Sequence, residues 1–332
     1  MREPTMDDVA REAGVSRALV SLVMRGSSKV SDERRTRVID AAARLSYRPN
    51  AMARSLASHR TATIGVLLND LHNPFFAEIF DGISAAADPL GYRLLLATGG
   101  RRAPGERAAI EALSEYRPDG FVLVSPSVAS SLIVELARTV PVVVVSRLVR
   151  SSAVDCVMTD EAHGAMLAVE HLAGLGHRRI VHVDGGAGAS AGPRRSGYLK
   201  AMLRIGLADH TKVLPGEFTE LAGVRAAETL LDDDLPSAIF AANDLVAAGA
   251  MDALEDAGLR IPDDISIIGY DNTSLARLHH VALSTIDQPR EEMGRVALTM
   301  LHERIENGRR ERVVHLTTPT LVARRTTGPA AS

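Results

Sequence analysis

Residues 6–58 read MDDVAREAGVSRALVSLVMRGSSKVSDERRTRVIDAAARLSYRPNAMARSLAS, and the spacing of their apolar residues decides the fold of this stretch. Met6, Val9, Ala10 and Ala13 fall at i, i+3, i+4 and i+7, one face of a helix. Thr5 precedes them as N-cap, and Asp7 and Asp8 occupy the first turn, where the helix dipole favours acid. Gly14 supplies a tight turn, Ser16 caps a second helix with Val20 and Val23 inward, and Ser31 opens a third. The third helix turns Val38, Ala41, Ala42 and Leu45 inward and Arg34, Arg35 and Arg37 outward. A helix-turn-helix needs a small residue where its helices cross, a turn-tolerant residue, and apolar residues fixing the second helix. Ala10, Gly14, Val15, Val20 and Val23 meet those needs in register. An ordinary helical hairpin is the alternative, since Ala and Gly are common.

At 332 residues the chain is too long for one compact core, and about 100–200 residues per domain suggests two or three units. Its composition, 46% hydrophobic and 24% charged, is that of a globular chain. Lys and Arg number 38 against 41 Asp and Glu, a formal net charge of −3, which taken whole argues against a nucleic-acid partner. Divided at residue 60, the balance changes. Residues 1–60 hold twelve Lys/Arg against seven acids, +5, while the remaining 272 hold 26 against 34, −8. A basic head on an acidic body points to a segment that meets a polyanion. A solvated basic surface accounts for the charge equally well.

Other classes fall away. A single cysteine, Cys156, forms no intrachain disulfide and fits a reducing compartment. Asp7, Asp8, Arg11, Glu12 and Arg17 interrupt the apolar stretch that a signal peptide needs. No apolar run approaches the ~18 residues of a membrane span, so no membrane partner is expected and the expected setting is cytoplasmic.

After Thr61 strand-length apolar runs recur, at Ile64–Leu68, Arg93–Ala97, Phe121–Ser125, Val142–Val145, Ile180–Val183, Ala238–Ala241 and Ile265–Gly269. Helical patterns lie between them, around Phe76–Ala87, Glu106–Tyr116, Ala162–Leu175, Arg194–Ile205, Val224–Leu231 and Leu245–Ala257. Alternation of this kind predicts an α/β body with parallel sheets covered on both faces. The body is about twice the size of one doubly wound unit, which predicts two lobes with a ligand cleft at the strands' carboxyl ends.

The head resembles the LacI/GalR family of bacterial repressors, through its order of helix-turn-helix, third helix, YRPN and ARSLA. The resemblance continues through IGVLLNDLHNPFFAEIFDGI (64–83), RPDGFVLVS (117–125), LAGLGHRRIVHVDG (172–185), AANDLVAAGAMDALEDAGLRIPDDISIIGYDN (241–272) and LSTIDQP (283–289). It implies an all-α head on a two-lobed body like the periplasmic binding proteins. The boundaries it implies are 1–49 for the DNA-binding head, 50–60 for a hinge helix and linker, and 61–332 for effector binding and dimerisation. Lobe one would hold about 61–158 and 290–318, lobe two about 159–287 and 319–325.

By the same resemblance the helix beginning at Ser16 enters the major groove, and Arg17, Ala18 and Leu22 stand at base-reading positions. Arg17 has the fork for guanine O6 and N7, whereas Ala18 and Leu22 could only touch a thymine methyl or exclude other bases. Thr5, Ser16, Ser21, Tyr47, Asn50 and Arg54 are the candidate backbone contacts, which position without reading sequence. The run AMARSLAS would be marginal as an isolated helix in water. The resemblance makes it a hinge helix that orders on DNA, with Leu56 wedged between base pairs and Ala53 packed beside it. A Leu56 packed on the body is the alternative.

Arg194, Asn243 and Asp271 align with the family's polar ligand anchors, and such a set holds vicinal hydroxyls in paired hydrogen bonds. Phe218 aligns with an aromatic that lies against ligand, and Phe75 lines the opposite lobe. Asn69, Ser125, Ser190 and Gln288 are further candidates. Ser146-Arg147 stands where sugar-responsive members often carry Asp-Arg, so Arg147 joins the set while a hydroxyl-binding carboxylate is missing. Asx caps at Asn243 and Asp271, and a surface ion pair at Arg194, are the bland readings.

Some motifs mislead. Gly186-Ala-Gly188 with Gly192 follows a strand, but it is not GxGxxG and no second strand ends in an acid at Asp209. The scattered His163, His171, His177, His182, His279 and His280 show no metal spacing, and no GxSxG elbow appears. No cofactor and no enzymatic activity are expected. The implied function is a ligand-responsive repressor acting as a homodimer on a near-palindromic double-stranded DNA operator, released by a sugar inducer. A corepressor such as a nucleobase is the alternative effector, and a solute-binding transport component the alternative class. The tail ARRTTGPAAS lacks leucine heptads for a tetramerisation helix, which favours a dimer.

Overall fold

The structure is a computed structural model describing residues 4–24, 27, 29–47 and 60–330. It divides into two compact units, Met1–Ala62 and Thr63–Ser332. The first contains α1 (Met6–Ala13), α2 (Arg17–Met24) and α3 (Asp32–Arg44) around a core of Val9, Ala13, Val20, Val23, Val38 and Ala41. Thr5 closes a capping box on α1: its hydroxyl donates to Asp8 Oδ2 at 2.6 Å and its backbone N–H donates to the same oxygen at 2.8 Å. Gly14 ends α1 at φ 63°, a left-handed conformation that costs a residue without Cβ little.

Two local details refine the reading of α3. Ser31 occupies the N-cap position of α3, but its side chain makes no cap hydrogen bond. Arg35 and Arg37 are not simply outward, because Arg35 Nη2 donates to the Ser27 carbonyl at 2.5 Å and Arg37 Nη2 to the Ala13 carbonyl at 2.8 Å. Arg37 thereby satisfies an orphan carbonyl at the end of α1.

The second unit runs β1 (Thr63–Leu68), α4 (Pro74–Ala87), β2 (Arg93–Thr98), α5 (Ala103–Glu115), β3 (Gly120–Val124), α6 (Ser130–Leu136), β4 (Val142–Val145), β5 (Val154–Thr159), α7 (Glu161–Gly174), β6 (Ile180–Val183), α8 (Ala191–Arg204), β7 (Lys212–Leu214), α9 (Glu220–Leu231), β8 (Ala238–Ala241), α10 (Asp244–Asp256), β9 (Ser266–Asp271), α11 (Ser274–Arg277), β10 (Ser284–Asp287), α12 (Arg290–Asn307), β11 (Val314–Thr317) and β12 (Thr320–Val322). One six-stranded sheet has the order β11-β5-β4-β3-β1-β2 and is parallel throughout. The other has the order β12-β10-β9-β8-β6-β7, parallel except for β12 against β10. The strands passing mid-sheet are apolar runs buried on both faces, as helices on either side require.

The chain changes lobes three times, between β5 and α7, between β10 and α12, and between β11 and β12. Helix α12 returns to lobe one, where Met293, Ala297, Leu298 and Leu301 pack on Ile79, Ile83 and Val122. A Cβ at Gly82 would overlap the Glu291 carbonyl, and one at Gly294 the Ile79 carbonyl, so glycine lets α4 and α12 cross closely. Beyond β12 the chain stays on lobe two, with Thr326 buried and the Ala330 N–H donating to the Leu175 carbonyl at 2.9 Å. No helix among the described residues is long and apolar enough to cross a membrane.

Candidate functional site

In the first unit, α2 presents Ser16, Arg17 and Ala18 exposed at its N-terminus. Ser16 Oγ accepts from the Leu19 N–H at 3.3 Å, so this serine caps the helix. Arg17 Nε lies 3.7 Å from Asp7 Oδ1, an exposed ion pair that holds the guanidinium near α1. Ser21 is half-buried, and Leu22 and Tyr47 are half-buried against the core. Leu22 therefore serves packing with part of its surface, and only its remainder is open. Asp8, beside Thr5 and Arg11, has its pKa drawn down to about 2 by the Thr5 hydrogen bonds. Asn50, Ala53, Arg54 and Leu56 lie outside the described residues.

In the second unit the two sheets face each other across a cleft of about 880 Å³ at their strands' carboxyl ends. Arg194, on α8, is the charged centre of its lobe-two wall. Its Nε donates to Glu161 Oε2 at 2.7 Å, Nη2 to Asp271 Oδ1 at 3.4 Å, and Nη1 to the Ala242 carbonyl. The guanidinium carbon lies 3.7 Å from the Tyr270 ring centroid and 5.4 Å from that of Phe218, within cation–π range. Burial opposes the Arg194 charge, but the Glu161 and Asp271 carboxylates outweigh it and raise the pKa. Arg194 is therefore no surface ion pair.

Asp271 ends β9 at φ 114°, a strained backbone for a residue with Cβ. Burial pushes its pKa up to about 8, with Asp244 and Glu161 adding to the rise and Arg194 and Arg290 opposing it. A carboxyl poised near neutrality can both donate to and accept from a ligand hydroxyl. Asn243 caps α10, its Oδ1 accepting from the Val246 N–H at 2.9 Å, which leaves its amide nitrogen for the cleft. Phe218 packs its ring on Gly185 and Gly188, where a Cβ would collide with it. Of the glycines that mimic a dinucleotide loop, Gly188 admits this aromatic wall, Gly186 turns at φ 66° against the Gly216 carbonyl, and Gly192 faces open space.

Lobe one contributes Asn69, Phe75, Ser125 and Arg147. Asn69 Nδ2 donates to Glu106 Oε1 and to Ser127 Oγ, both at 2.9 Å. Glu106, fully buried, also accepts from the Ser127 and Val128 N–H groups at 2.6 and 2.9 Å, and so fixes the loop that lines the cleft. Arg147 clamps the same loop, donating to the Pro126 and Val128 carbonyls at 2.6 and 2.5 Å and to Ser130 Oγ at 3.1 Å. Across the mouth, Arg101 Nη2 of lobe one stands 3.3 Å from Glu217 Oε2 of lobe two.

Comparison with known proteins matches both units. Residues 5–50 fit the model of the bacterial regulatory proteins of the lacI family, and residues 61–324 that of the periplasmic binding proteins and sugar binding domain of the LacI family. The chain belongs to the LacI family.

Among its relatives, the ribose operon repressor of Haemophilus influenzae is 37% identical over 324 residues, 96% of this chain and 97% of that protein. The HTH-type transcriptional repressor PurR of Erwinia tasmaniensis is 36% identical, covering 97% of this chain and 96% of its own. The crystal structure of the lac repressor dimer bound to operator and the anti-inducer ONPF superposes with a TM-score of 0.86 at 28% identity, over 98% of this chain and 100% of that one. These relatives are DNA-binding regulators, and this LacI-family chain is a regulator rather than an enzyme.

Nine of the ten candidate ligand residues, including Ser190 at the start of α8, line this LacI-family cleft. Gln288 does not. It is fully buried behind Asp271, donating Nε2 to Asp271 Oδ1 at 2.6 Å, and acts on the cleft only through that carboxyl. Sequence reasoning passed over Asp70, Arg101, Arg102 and Glu217, which also line it, as does Ser146 beside Arg147. The strand-end rule applied to β2 would have reached GGRR at 99–102. Glu106 carried no signal, because a lone acid on a helix reads as a solvated one.

Proposed function

We propose that this chain is a sugar-responsive repressor, binding a near-palindromic operator as a cytoplasmic homodimer. The observation that carries the effector half is the convergence of Arg194 from α8 with Asn243 and Asp271 from the ends of β8 and β9 on one interlobe cleft. Three rigid polar groups of complementary type suit adjacent hydroxyls. Sugar is supported further by the body's match to a model described as sugar-binding and by the ribose operon repressor among the relatives. A nucleobase corepressor has less support on both counts.

On the DNA side, Arg17 reads a guanine from the major groove while Ser16, Ser21 and Tyr47 position the head. Thr5 has its hydroxyl engaged by Asp8, so its share is to order the start of α1. Residues 50–60 serve as the hinge, with Leu56 as the minor-groove wedge. Effector in the cleft would alter the angle between lobes, and only a difference in its affinity for the two states can shift DNA binding. The test is anisotropy of labelled DNA from the gene's own upstream region, titrated with protein and then with a panel of sugars. Release of bound DNA by one sugar is the expected result; tight binding that no sugar changes would remove the inducer reading.

A further inference from the structure

We propose that the effector is a phosphorylated sugar, its hydroxyls on the lobe-two anchors and its phosphate on the lobe-one wall at Arg102. The inference rests on the sugar-effector reading and deepens it. It comes from where the cleft's charges are compensated and where they are not. On lobe two, Arg194 is shared between Glu161 and Asp271, and Arg195 Nη1 pairs with Asp184 Oδ2 at 2.5 Å. That wall carries no spare cation. It adds Glu217, so an anion is repelled from it.

Lobe one is the opposite. Arg101 is divided between Glu217 at 3.3 Å and Asp70 at 4.0 Å. Arg147 spends its donors on two carbonyls and a hydroxyl, so no carboxylate balances its charge. Arg102 lines the cleft and is exposed; its backbone carbonyl accepts from the Glu106 N–H at 3.0 Å, but its guanidinium has no hydrogen bond or ion pair to any described residue. Beside these cations the wall presents Ser125 and Ser146. Ser146 Oγ is the independent sign that a ligand group belongs here: the residue is 3% exposed, its hydroxyl makes no hydrogen bond among the described residues, and it lines the cavity. Both serines sit at strand ends with left-handed backbones, φ 50° and 60°. Strain of this kind is kept where a side chain must face a ligand.

A guanidinium fork with serine hydroxyls is the donor set that a phosphate's oxygens accept, and neither repels its charge. The cleft is thus polar in the electrical sense, carboxyl-rich on one wall and guanidinium-rich on the other. A neutral sugar would leave Arg102 and Arg147 unbalanced, whereas a sugar phosphate oriented across the cleft satisfies both walls.

The test is the melting temperature of the full-length protein at fixed ionic strength, in inorganic phosphate against chloride, and in ribose and glucose against ribose 5-phosphate and glucose 6-phosphate. Phosphate at several times its dissociation constant is expected to raise the wild-type melting temperature by about 1–3 °C. Arg102→Gln, which keeps a polar side chain at an exposed site, is expected to abolish that rise and equalise each sugar with its phosphate. The variant also subtracts the general stabilisation that phosphate gives any fold. No phosphate effect in the wild type, or an equal effect in Arg102→Gln, overturns the proposal. A response to a neutral sugar with no gain from its phosphate overturns it too, yet leaves the sugar-effector reading standing. A phosphate response lost in Arg102→Gln, with no parent sugar active alone, supports the anion subsite and shows that the phosphate supplies the binding.

Discussion

Gln288 Nε2 donates a hydrogen bond to Asp271 Oδ1 at 2.6 Å from behind the cleft, on the same oxygen that Arg194 approaches at 3.4 Å. Asp271 is thus held by donors on its buried side, and its carboxyl is presented to ligand from a fixed position. This relationship makes the cleft a preorganised site rather than a surface depression.

It also sets a pH dependence. Asp271 has its pKa raised from 3.8 to about 8, chiefly by burial, so the folded chain binds that proton more tightly than the unfolded chain. Its contribution to stability is therefore greatest at low pH and declines as pH rises from about 4 to about 8. Asp271→Asn keeps the acceptor and removes the titration. Melting curves are expected to show a smaller loss of stability between pH 5 and pH 8.5 in the variant than in the wild type; parallel slopes would show that Asp271 ionises normally.

Asp155 carries the largest structural burden outside the cleft. Fully buried on β5, it accepts from Arg304 at 2.8 and 2.6 Å, Arg309 at 2.6 Å and the Val313 N–H at 2.8 Å. Burial opposes its ionisation, but these hydrogen bonds prevail and hold its pKa below the ordinary value. Its stabilisation is accordingly present at neutral pH and lost as pH falls through the acid range. Asp155→Ala would leave the largely buried Arg304 guanidinium without a carboxylate and Arg309 with Glu303 alone, at a cost of about 3–5 kcal/mol in urea unfolding. A cost below about 1 kcal/mol would place the cluster among ordinary surface pairs.

Arg17→Ala is expected to weaken operator binding by about 1–3 kcal/mol and to relax preference at one base pair. Competition binding with single-base operator variants reads both effects. A uniform loss across all variants would make Arg17 a phosphate contact instead.

Leu56→Ala is expected to leave the head's helical circular dichroism unchanged while lowering operator affinity and the DNA bend angle. Unchanged affinity and bend would end the hinge-wedge assignment for residues 50–60.

The head was legible because its information is local. Ala10, Gly14 and Val20 meet within one short segment, and their spacing alone fixes the crossing. Strands such as Val142–Val145 and Ala238–Ala241 were legible as continuous apolar runs. The edge strands β11 and β12 were not: they are short and mostly exposed, and owe their strand state to partners far away in the chain. Helix α12 escaped for a related reason, its apolar face being interleaved with seven charged residues and made visible only by α4. Within the cleft, Asn243 and Asp271 were marked by their strand-end motifs, and Arg194 by its motif on the helix that follows β6. Gln288 shared that mark, but whether a side chain faces the cleft or backs another residue depends on packing between lobes, which no local pattern records. Glu106 shows the converse case, a buried acid recognisable only from the N–H groups that three-dimensional structure brings to it.

The most direct test of operator binding is fluorescence anisotropy of the full-length protein on DNA from its own upstream region and on a scrambled fragment, across a range of salt. The expected result is an affinity ratio of at least about 10³ in favour of the upstream DNA. Binding should also fall steeply and linearly on logarithmic axes as salt rises. Equal affinity for both fragments, or binding indifferent to salt, would contradict a sequence-reading basic head.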